Sequence, residues 1–344
     1  MDGLDMWRDG AREDVVRVQM VDPFDVDRVR GELAGVVTSG CSITEGYYTD
    51  SRVTAKVRAY EDGYVGDSWL RIVHECPAYG YRAELGTFVV TKASRTSELG
   101  GTVIDYDLQS VLWAISKDTL PCHWSVGEGA LAREAFSRIC ETVGKAHAVL
   151  PGAKDYRFSQ TVVYELGDSF LSDLFDVADR SGNRVDVDGH GRITLGRYVA
   201  PSQREPDWVL DLDDPRGLVL AGGVSWAEEP GSAPNRVIVK HTSGESEVVG
   251  SADAAQTRGY TVAEVKSVQD LSPETPARAS QLAREYLQRG GGVGREYSVS
   301  ALYFPVHEGD VVRLVTEGVR HDCLVKEADV SLADMTVDLT LKEA

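Results

Sequence analysis

Val53-Thr54-Ala55-Lys56-Val57-Arg58-Ala59-Tyr60 decides how this chain is read, because its apolar residues fall on every second position. Successive side chains of an extended strand point to opposite faces. Val53, Ala55, Val57 and Ala59 therefore line one face, and Thr54, Lys56, Arg58 and Tyr60 the other. The same alternation recurs in Ile104-Asp105-Tyr106-Asp107-Leu108-Gln109 and in Met335-Thr336-Val337-Asp338-Leu339-Thr340-Leu341-Lys342. One face toward a core and one toward water or a partner is the pattern of antiparallel sheets. Asp188-Gly189-His190-Gly191 separates two further such runs and has the composition of a tight hairpin. The expected fold class is mainly β, of the α+β kind.

Three segments change to the helical period. Over residues 128–143, Ala132, Ala135, Phe136, Ile139, Cys140 and Val143 share one face, and Ser125 with Glu128 offers a capping box. Over 169–181 the stripe is Leu171, Leu174, Phe175 and Ala178, with Asp168 at the N-cap position and Gly182 just past the end. Over 276–289, Ala279, Leu282, Ala283 and Tyr286 align; Thr275 and Pro276 open this helix and Gly290-Gly291-Gly292 closes it.

The order of elements suggests three parts. Residues 1–118 form a first β-barrel-like domain and 119–204 a small α/β insert holding two helices. Residues 205–344 form a second β-barrel-like domain interrupted by the helix over 276–289. Glu205-Pro206-Asp207 marks a boundary, and the Ser-, Gly- and Glu-rich stretch 241–259 is expected to be a mobile loop. A weak internal echo links residues 87–109, after a turn at Leu85-Gly86, with 323–342, after a turn at Glu317-Gly318. Duplication and convergent hairpin patterning both explain it.

The 344 residues carry 36 Lys and Arg against 55 Asp and Glu, a net charge of −19. That balance repels phosphate backbones and disfavours a general nucleic-acid binder. No apolar run is long enough for a membrane helix, and the acidic start lacks the basic and apolar regions of a secretory signal. Five scattered cysteines without a CxxC spacing argue against a disulfide framework and for small buried apolar residues.

Three places bring His and Cys together: His74 with Cys76, Cys122 with His123, and His321 with Cys323. Tetrahedral zinc needs about four converging ligands at short spacings, which are missing, so packed strand residues are the favoured reading. Asp207, Asp211, Asp213 and Asp214 lack the order of an EF-hand loop, and the interleaved Trp208, Val209, Leu210 and Leu212 suit a solvent-edged strand. The glycine-rich run from Arg289 to Gly294 leaves a helix rather than opening one, and Gly127-Glu128-Gly129 lacks the P-loop residues. No nucleophile elbow, HExxH or dinucleotide fingerprint occurs, and no feature selects one carboxylate pair for glycoside hydrolysis. The expectation is a chain with no catalytic, cofactor-binding or metal-binding residues, and hence no enzyme.

The order of elements is more specific than any single motif. Glu84-Leu85-Gly86-Thr87-Phe88-Val89-Val90 leads to the strand ending Asp105-Tyr106-Asp107-Leu108-Gln109 and its continuation over 110–115. Then come Gly167-Asp168-Ser169-Phe170-Leu171, Gly191-Arg192-Ile193-Thr194-Leu195, Asn235-Arg236-Val237-Ile238-Val239, and last Glu308-Gly309-Asp310-Val311-Val312-Arg313-Leu314. Over roughly residues 13–344 this succession resembles the hub proteins of bacteriophage tail tips and baseplates, related in fold to the base of secretion-system spikes.

The resemblance implies a homotrimeric ring of six barrels that adapts a sixfold tail tube to a threefold tip and forms a conduit for genome ejection. It implies distal-tail or tail-tube ring proteins, the tape measure protein and a spike or fibre protein as partners, with transient passage of DNA and no membrane insertion. The location implied is the virion tail tip, assembled in the host cytoplasm, and no fused lytic domain is expected. The alternatives are a spike-base protein of a contractile injection or secretion system and a tail-associated peptidase or cell-wall hydrolase. A carbohydrate-binding module using Tyr79-Gly80-Tyr81 and Tyr47-Tyr48 is a further one.

Overall fold

The computed structural model describes residues 6–8, 12–47, 49–60, 65–98, 101–227, 234–243, 246–254, 259–268, 271, 274–289 and 295–343. Of the described residues, 51% are in strands and 17% in helices, so the alternating pattern does specify a mainly β molecule. It divides into two compact units. Unit 1 holds residues 1–198, 300–308 and 327–338, and unit 2 holds 199–299, 309–326 and 339–344. The boundaries at 118 and 204 follow element order, not this packing.

Unit 1 is built on an antiparallel sheet of β1 (Val15–Asp22), β2 (Asp25–Glu32), β3 (Ser42–Gly46), β4 (Val53–Tyr60), β5 (Trp69–Cys76), β6 (Tyr81–Glu98) and β7 (Gly101–Ser110). Their spatial order is β2-β1-β5-β6-β7-β4-β3, and β3 then pairs with residues 327–331. The octapeptide that opens the sequence argument is β4. Ala55, Val57 and Ala59 are buried against the alternating Ile104, Tyr106 and Leu108 of β7. Leu85-Gly86, expected as a turn, lies inside β6. There Gly86 pairs with Ile72 beside a register shift, so the irregularity is a bulge in a continuous strand.

The chain leaves β7 through α1 (Val111–Ser116) and runs through α2 (Ala132–Thr142) and α3 (Phe170–Ser181). Around the helices lie short strands: β8 (Trp124–Val126), β9 (His147–Val149), β10 (Val162–Tyr164), β11 (Asn183–Val187) and β12 (Ile193–Arg197). β8 pairs with β10, and β12 pairs antiparallel with β11 and parallel with β9. One buried cluster joins Val21, Val26 and Trp69 of the sheet to Leu112 and Ile115 of α1, Phe136 and Ile139 of α2, Leu174 of α3, and Val185 and Leu195. The sheet and the helical insert thus share a core within unit 1.

Two helix starts differ from expectation. α2 begins at Ala132 after Leu131, not near 128, because Ser125 pairs across β8 with Val163 and the amides of Gly129 and Ala132 donate to Phe158 and Tyr156. In α3 the cap is Ser169, whose hydroxyl accepts from the Ser172 amide, while Asp168 accepts from the Glu165 amide. Gly182 ends that helix in the left-handed region, as its position suggested.

Unit 2 contains β13 (Trp208–Asp211), the edge strand β14 (Val219–Ala227), β15 (Arg236–Ser243), β16 (Ser246–Asp253) and β17 (Ala263–Val268). After α4 (Pro276–Arg289) follow β18 (Glu296–Leu302), β19 (Val311–Thr316), β20 (Val319–Ser331) and β21 (Thr336–Glu343), the last two adjacent; of these strands, residues 300–302, 327–331 and 336–338 belong to unit 1. Val319–Leu324 of β20 pair antiparallel with β19, whose other edge takes β13 in parallel. The stretch 241–259 is no loop for most of its length. Residues 241–243 finish β15 and 246–253 form β16, paired residue for residue from Ser243–Ser246 to Arg236–Asp253; residues 244, 245 and 255–258 lie outside the described ones. The expected glycine exit at 290–292 lies outside them too. Among the described residues no helix is long and apolar enough to cross a membrane.

α4 lies on the three-stranded sheet β16-β15-β17, with Ala279 and Ala283 buried against Val237, Val239 and Ala252. Backbone meets backbone there: a Cβ on Gly250 would stand 2.2 Å from the Ser280 amide nitrogen and 2.5 Å from the Ala279 carbonyl carbon. Gly250→Ala is expected to lower stability by about 1–3 kcal/mol, the range for overfilling a packed core. Urea unfolding followed by circular dichroism checks it; an unchanged midpoint would mean that α4 does not sit this close.

Candidate functional site

Two of the three His and Cys pairs singled out from sequence, His74 with Cys76 and His321 with Cys323, are packing groups. His74 and Cys76 are fully buried on β5. His74 Nε2 lies 2.7 Å from Asp14 Oδ1, and burial lowers the imidazole pKa more than Asp14 raises it, so the ring is neutral and Nε2–H is assigned as the donor. Trp7, Tyr81 and Tyr303 enclose it, with the Tyr303 ring edge-on at 5.3 Å. The Cys76 thiol donates to the Glu13 carbonyl. Cys122 is exposed and His123 pairs with Glu165 at 2.9 Å. His321 lies 3.3 Å from Glu343 beside the Tyr297 ring, and burial pushes the Cys323 thiol up to about 12. Among the described residues no three His, Cys, Asp or Glu are placed to hold a metal ion.

The four aspartates near 207 serve the backbone of unit 2. Asp207 accepts from the Val311 amide at 2.8 Å, Asp211 from Asp213, Asp214 from Arg216, and Asp213 from Gly318. Of the aromatic pairs, Tyr79 is exposed and Tyr81 packs with Trp7, while Tyr47 lies under the Arg184 guanidinium; Tyr48 lies outside the described residues.

The chemistry concentrates instead at two junctions in unit 1, built from charges that sequence reasoning passed over. The first is the tip of the β11–β12 hairpin on the sheet. Arg71, in the apolar run Trp69-Leu70-Arg71-Ile72-Val73, is 4% exposed. Its Nη2 donates to the Val26 carbonyl at 2.5 Å and the His190 carbonyl at 3.1 Å, and its Nε donates to Thr87 Oγ1 at 2.9 Å. The Thr87 hydroxyl donates onward to the Gly189 carbonyl at 2.8 Å. A Cβ on Gly189 would come within 2.1 Å of the Glu84 carbonyl oxygen, so only glycine lets the tip approach. Arg192 holds Asp27 at the rim at 2.8 Å.

The second junction is ionic. Arg184 of β11 pairs with Asp186 at 2.8 Å and with Glu308, and stacks 5.0 Å from the Tyr47 ring. Arg52, buried in the β3–β4 turn at φ 57°, reaches Asp186 at 3.6 Å and packs over Phe175. Glu45 of β3 accepts from the Glu308 amide at 2.9 Å and faces His307 at 3.1 Å. Burial pushes Glu308 up to about 7 against the pull of Arg184, and burial likewise raises Asp186. The signal for both junctions was a charge inside or beside an apolar strand, where an ionic side chain needs partners. On the polar face of the sheet, Ser42, Thr44, Thr54, Lys56, Lys92 and Asp107 line an open groove of about 410 Å³.

This architecture is shared with solved structures. The tail protein from Neisseria meningitidis MC58 superposes with a TM-score of 0.71 at 13% identity, over 96% of this chain and 96% of that one. The fold is that of a phage tail protein. The 43 kDa tail protein of prophage MuSo2 from Shewanella oneidensis has the same tail fold, with a TM-score of 0.67 at 12% identity over 96% of this chain and 98% of its own. The E. coli c3393 protein, a component of the type VI secretion system, matches at 0.54 and 11% identity over 97% of this chain and 76% of its own. No family model matches the sequence, and no curated protein is similar to it.

Arg71→Met removes a cation whose three direct acceptors are neutral oxygens. With each charged hydrogen bond worth about 1.5–3 kcal/mol, a loss of several kcal/mol is expected, with hydrogen exchange quickening first at residues 188–192. Unchanged exchange there would mean that the tip is held by packing alone. Within α3, Asp173 is buried with Oδ2 lacking a hydrogen-bond partner, and burial, then Asp168, pushes its carboxyl up to about 7. A folded pKa above the unfolded 3.8 contributes stability below 3.8 that disappears as pH rises through 7. Asp173→Asn should therefore stabilise the protein more at pH 8 than at pH 5, by about 2–3 kcal/mol, seen as a larger rise in melting temperature at pH 8. Equal shifts at both pH values would refute this.

Proposed function

We propose that the chain is a structural hub of a phage-type tail tip or baseplate. In this reading it forms a homotrimeric ring that adapts a sixfold tail tube to a threefold tip and gives the ejected genome its conduit. The observation that carries the reading is the extent of the fold likeness: 96% of this chain aligns with 96% of a tail protein. Fold alone does not assign a function. The reading therefore also draws on the order of sequence motifs and on charge. A net −19 per chain makes the ring strongly acidic, and an acidic channel would let DNA slide without adhering.

The partners proposed are distal-tail or tail-tube ring proteins on one side, a spike or fibre protein on the other, and the tape measure protein and DNA in the lumen. The protein would reside at the virion tail tip after assembly in the host cytoplasm, and would act by binding, not by catalysis. The second reading is the base of a secretion-system spike, favoured by the type VI component, of which this chain covers 76%. Fuller coverage of the tail proteins places the tail reading first.

Native mass spectrometry with electron-microscope class averages of the purified chain tests the proposal. A species near three times 37.5 kDa, seen as a ring with an open centre, is the expected outcome. A monomer that stays monomeric when mixed with a tail-tube ring protein would overturn it.

A further inference from the structure

The free edges of the sheets are unequally protected. A strand edge presents unpaired N–H and C=O groups to any other chain, and proteins blunt it with charge, proline, shortness or a bulge. Among the described residues the edge strands are β2, β8, β9, β10, β11, β13, β14, β16 and β17. Of these, β8, β9, β10 and β13 are three or four residues long. β2, β11, β16 and β17 are longer, and each carries two or more charged residues, such as Glu264 and Lys266 in β17. β14 is the exception. Its nine residues, Val219-Leu220-Ala221-Gly222-Gly223-Val224-Ser225-Trp226-Ala227, hold no charge and no proline. Leu220 is 37% and Trp226 60% exposed, in a chain with 26% charged residues. Arg295 stacks on the Trp226 ring at 4.9 Å, which steadies the ring without placing a charge in the strand. Gly222, at φ 74°, bends the strand, so Gly223–Ala227 is the regular stretch left to pair. Charge returns immediately after it in sequence, at Glu228-Glu229.

We propose that β14 is an assembly strand, paired edge to edge with a strand of another copy of this chain. The occupant follows from charge. Every copy carries −19, so copies repel, and contact between them is least opposed where neither brings acid to the other. A basic partner would be met instead by acidic residues, of which this chain has 55. A strand kept neutral in so acidic a chain suits a like-charged occupant. Backbone hydrogen bonds supply the affinity of such a pairing, and Trp226 supplies an aromatic anchor. The proposal does not rest on the tail reading: it says where copies touch, not how many assemble.

The test is native mass spectrometry with hydrogen exchange of the whole chain, on the wild type and two variants. The wild type should self-associate, with the amides of residues 223–227 protected in the assembly and exchanging in the monomer, reached by dilution or through the first variant. That variant is Ser225→Asp, which adds acid at an exposed strand position. It should raise the dissociation constant by about tenfold or more, equivalent to about 1.4 kcal/mol, and leave the circular dichroism of the monomer unchanged. Ser225→Thr, neutral and suited to strands, should associate like the wild type. If Ser225→Asp fails to fold, Ala227→Asp at the end of the strand takes its place. A wild type that is monomeric at every concentration would overturn the proposal. So would an assembly in which 223–227 exchange as fast as in the monomer, or one that the added acid leaves intact. A dimer protected at β14 would support the proposal and count against the threefold ring, whereas a trimer unprotected there would do the reverse.

Discussion

A guanidinium with almost no access to water must find its hydrogen bonds within the protein, and at Arg71 that need draws three separate segments together. The acceptors are the Val26 carbonyl at the β1–β2 hairpin, the Thr87 hydroxyl on β6 and the His190 carbonyl at the tip of the β11–β12 hairpin. None can move away without leaving part of a buried cation unsolvated. The tip can reach Arg71 only because Gly189 lets one backbone run against another. The core shared by sheet and insert runs from Val21 and Trp69 through α1 to Leu174 and includes Val26, whose carbonyl is one of these acceptors.

The two junctions of unit 1 solve the problem of buried charge differently. Arg71 is answered mainly by neutral oxygens. Burial lowers its pKa, and Glu84, Asp27 and Asp188 support its charge from farther off. Arg184 is answered directly by Asp186 and Glu308, whose attraction outweighs burial and raises its pKa. Pairs of this kind add little net stability over well-packed apolar groups, but losing one partner costs about 3–5 kcal/mol. What they supply here is geometry. The apolar clusters give the driving force, while these charged groups determine which loop meets which strand.

The buried His and Cys side chains answer to the same desolvation. His74 is neutral in an aromatic enclosure, and burial pushes the thiols of Cys140 and Cys323 up to about 12. Thiols so raised are protonated and unreactive at neutral pH.

Period two in Val53–Tyr60, in residues 104–109 and in 335–342 needs nothing beyond the local chain to be legible, because alternation is a property of the extended backbone itself. The helical stripes of α2, α3 and α4 and the hairpin tip at 188–191 were legible for the same reason. The start of α2 was not, since strand pairing of Ser125 with Val163 took over a segment whose local sequence also suited a cap. Nor was the pairing of 241–243 with 246–248 through a polar stretch that resembles a loop. Least legible were the junctions. Arg71 and Glu308 stand 237 positions apart, and nothing near either names its partners. The sequence by itself determined which residues would alternate, coil or turn. Only the tertiary structure decided which charges would be buried together, because desolvation depends on what the rest of the chain brings to a site.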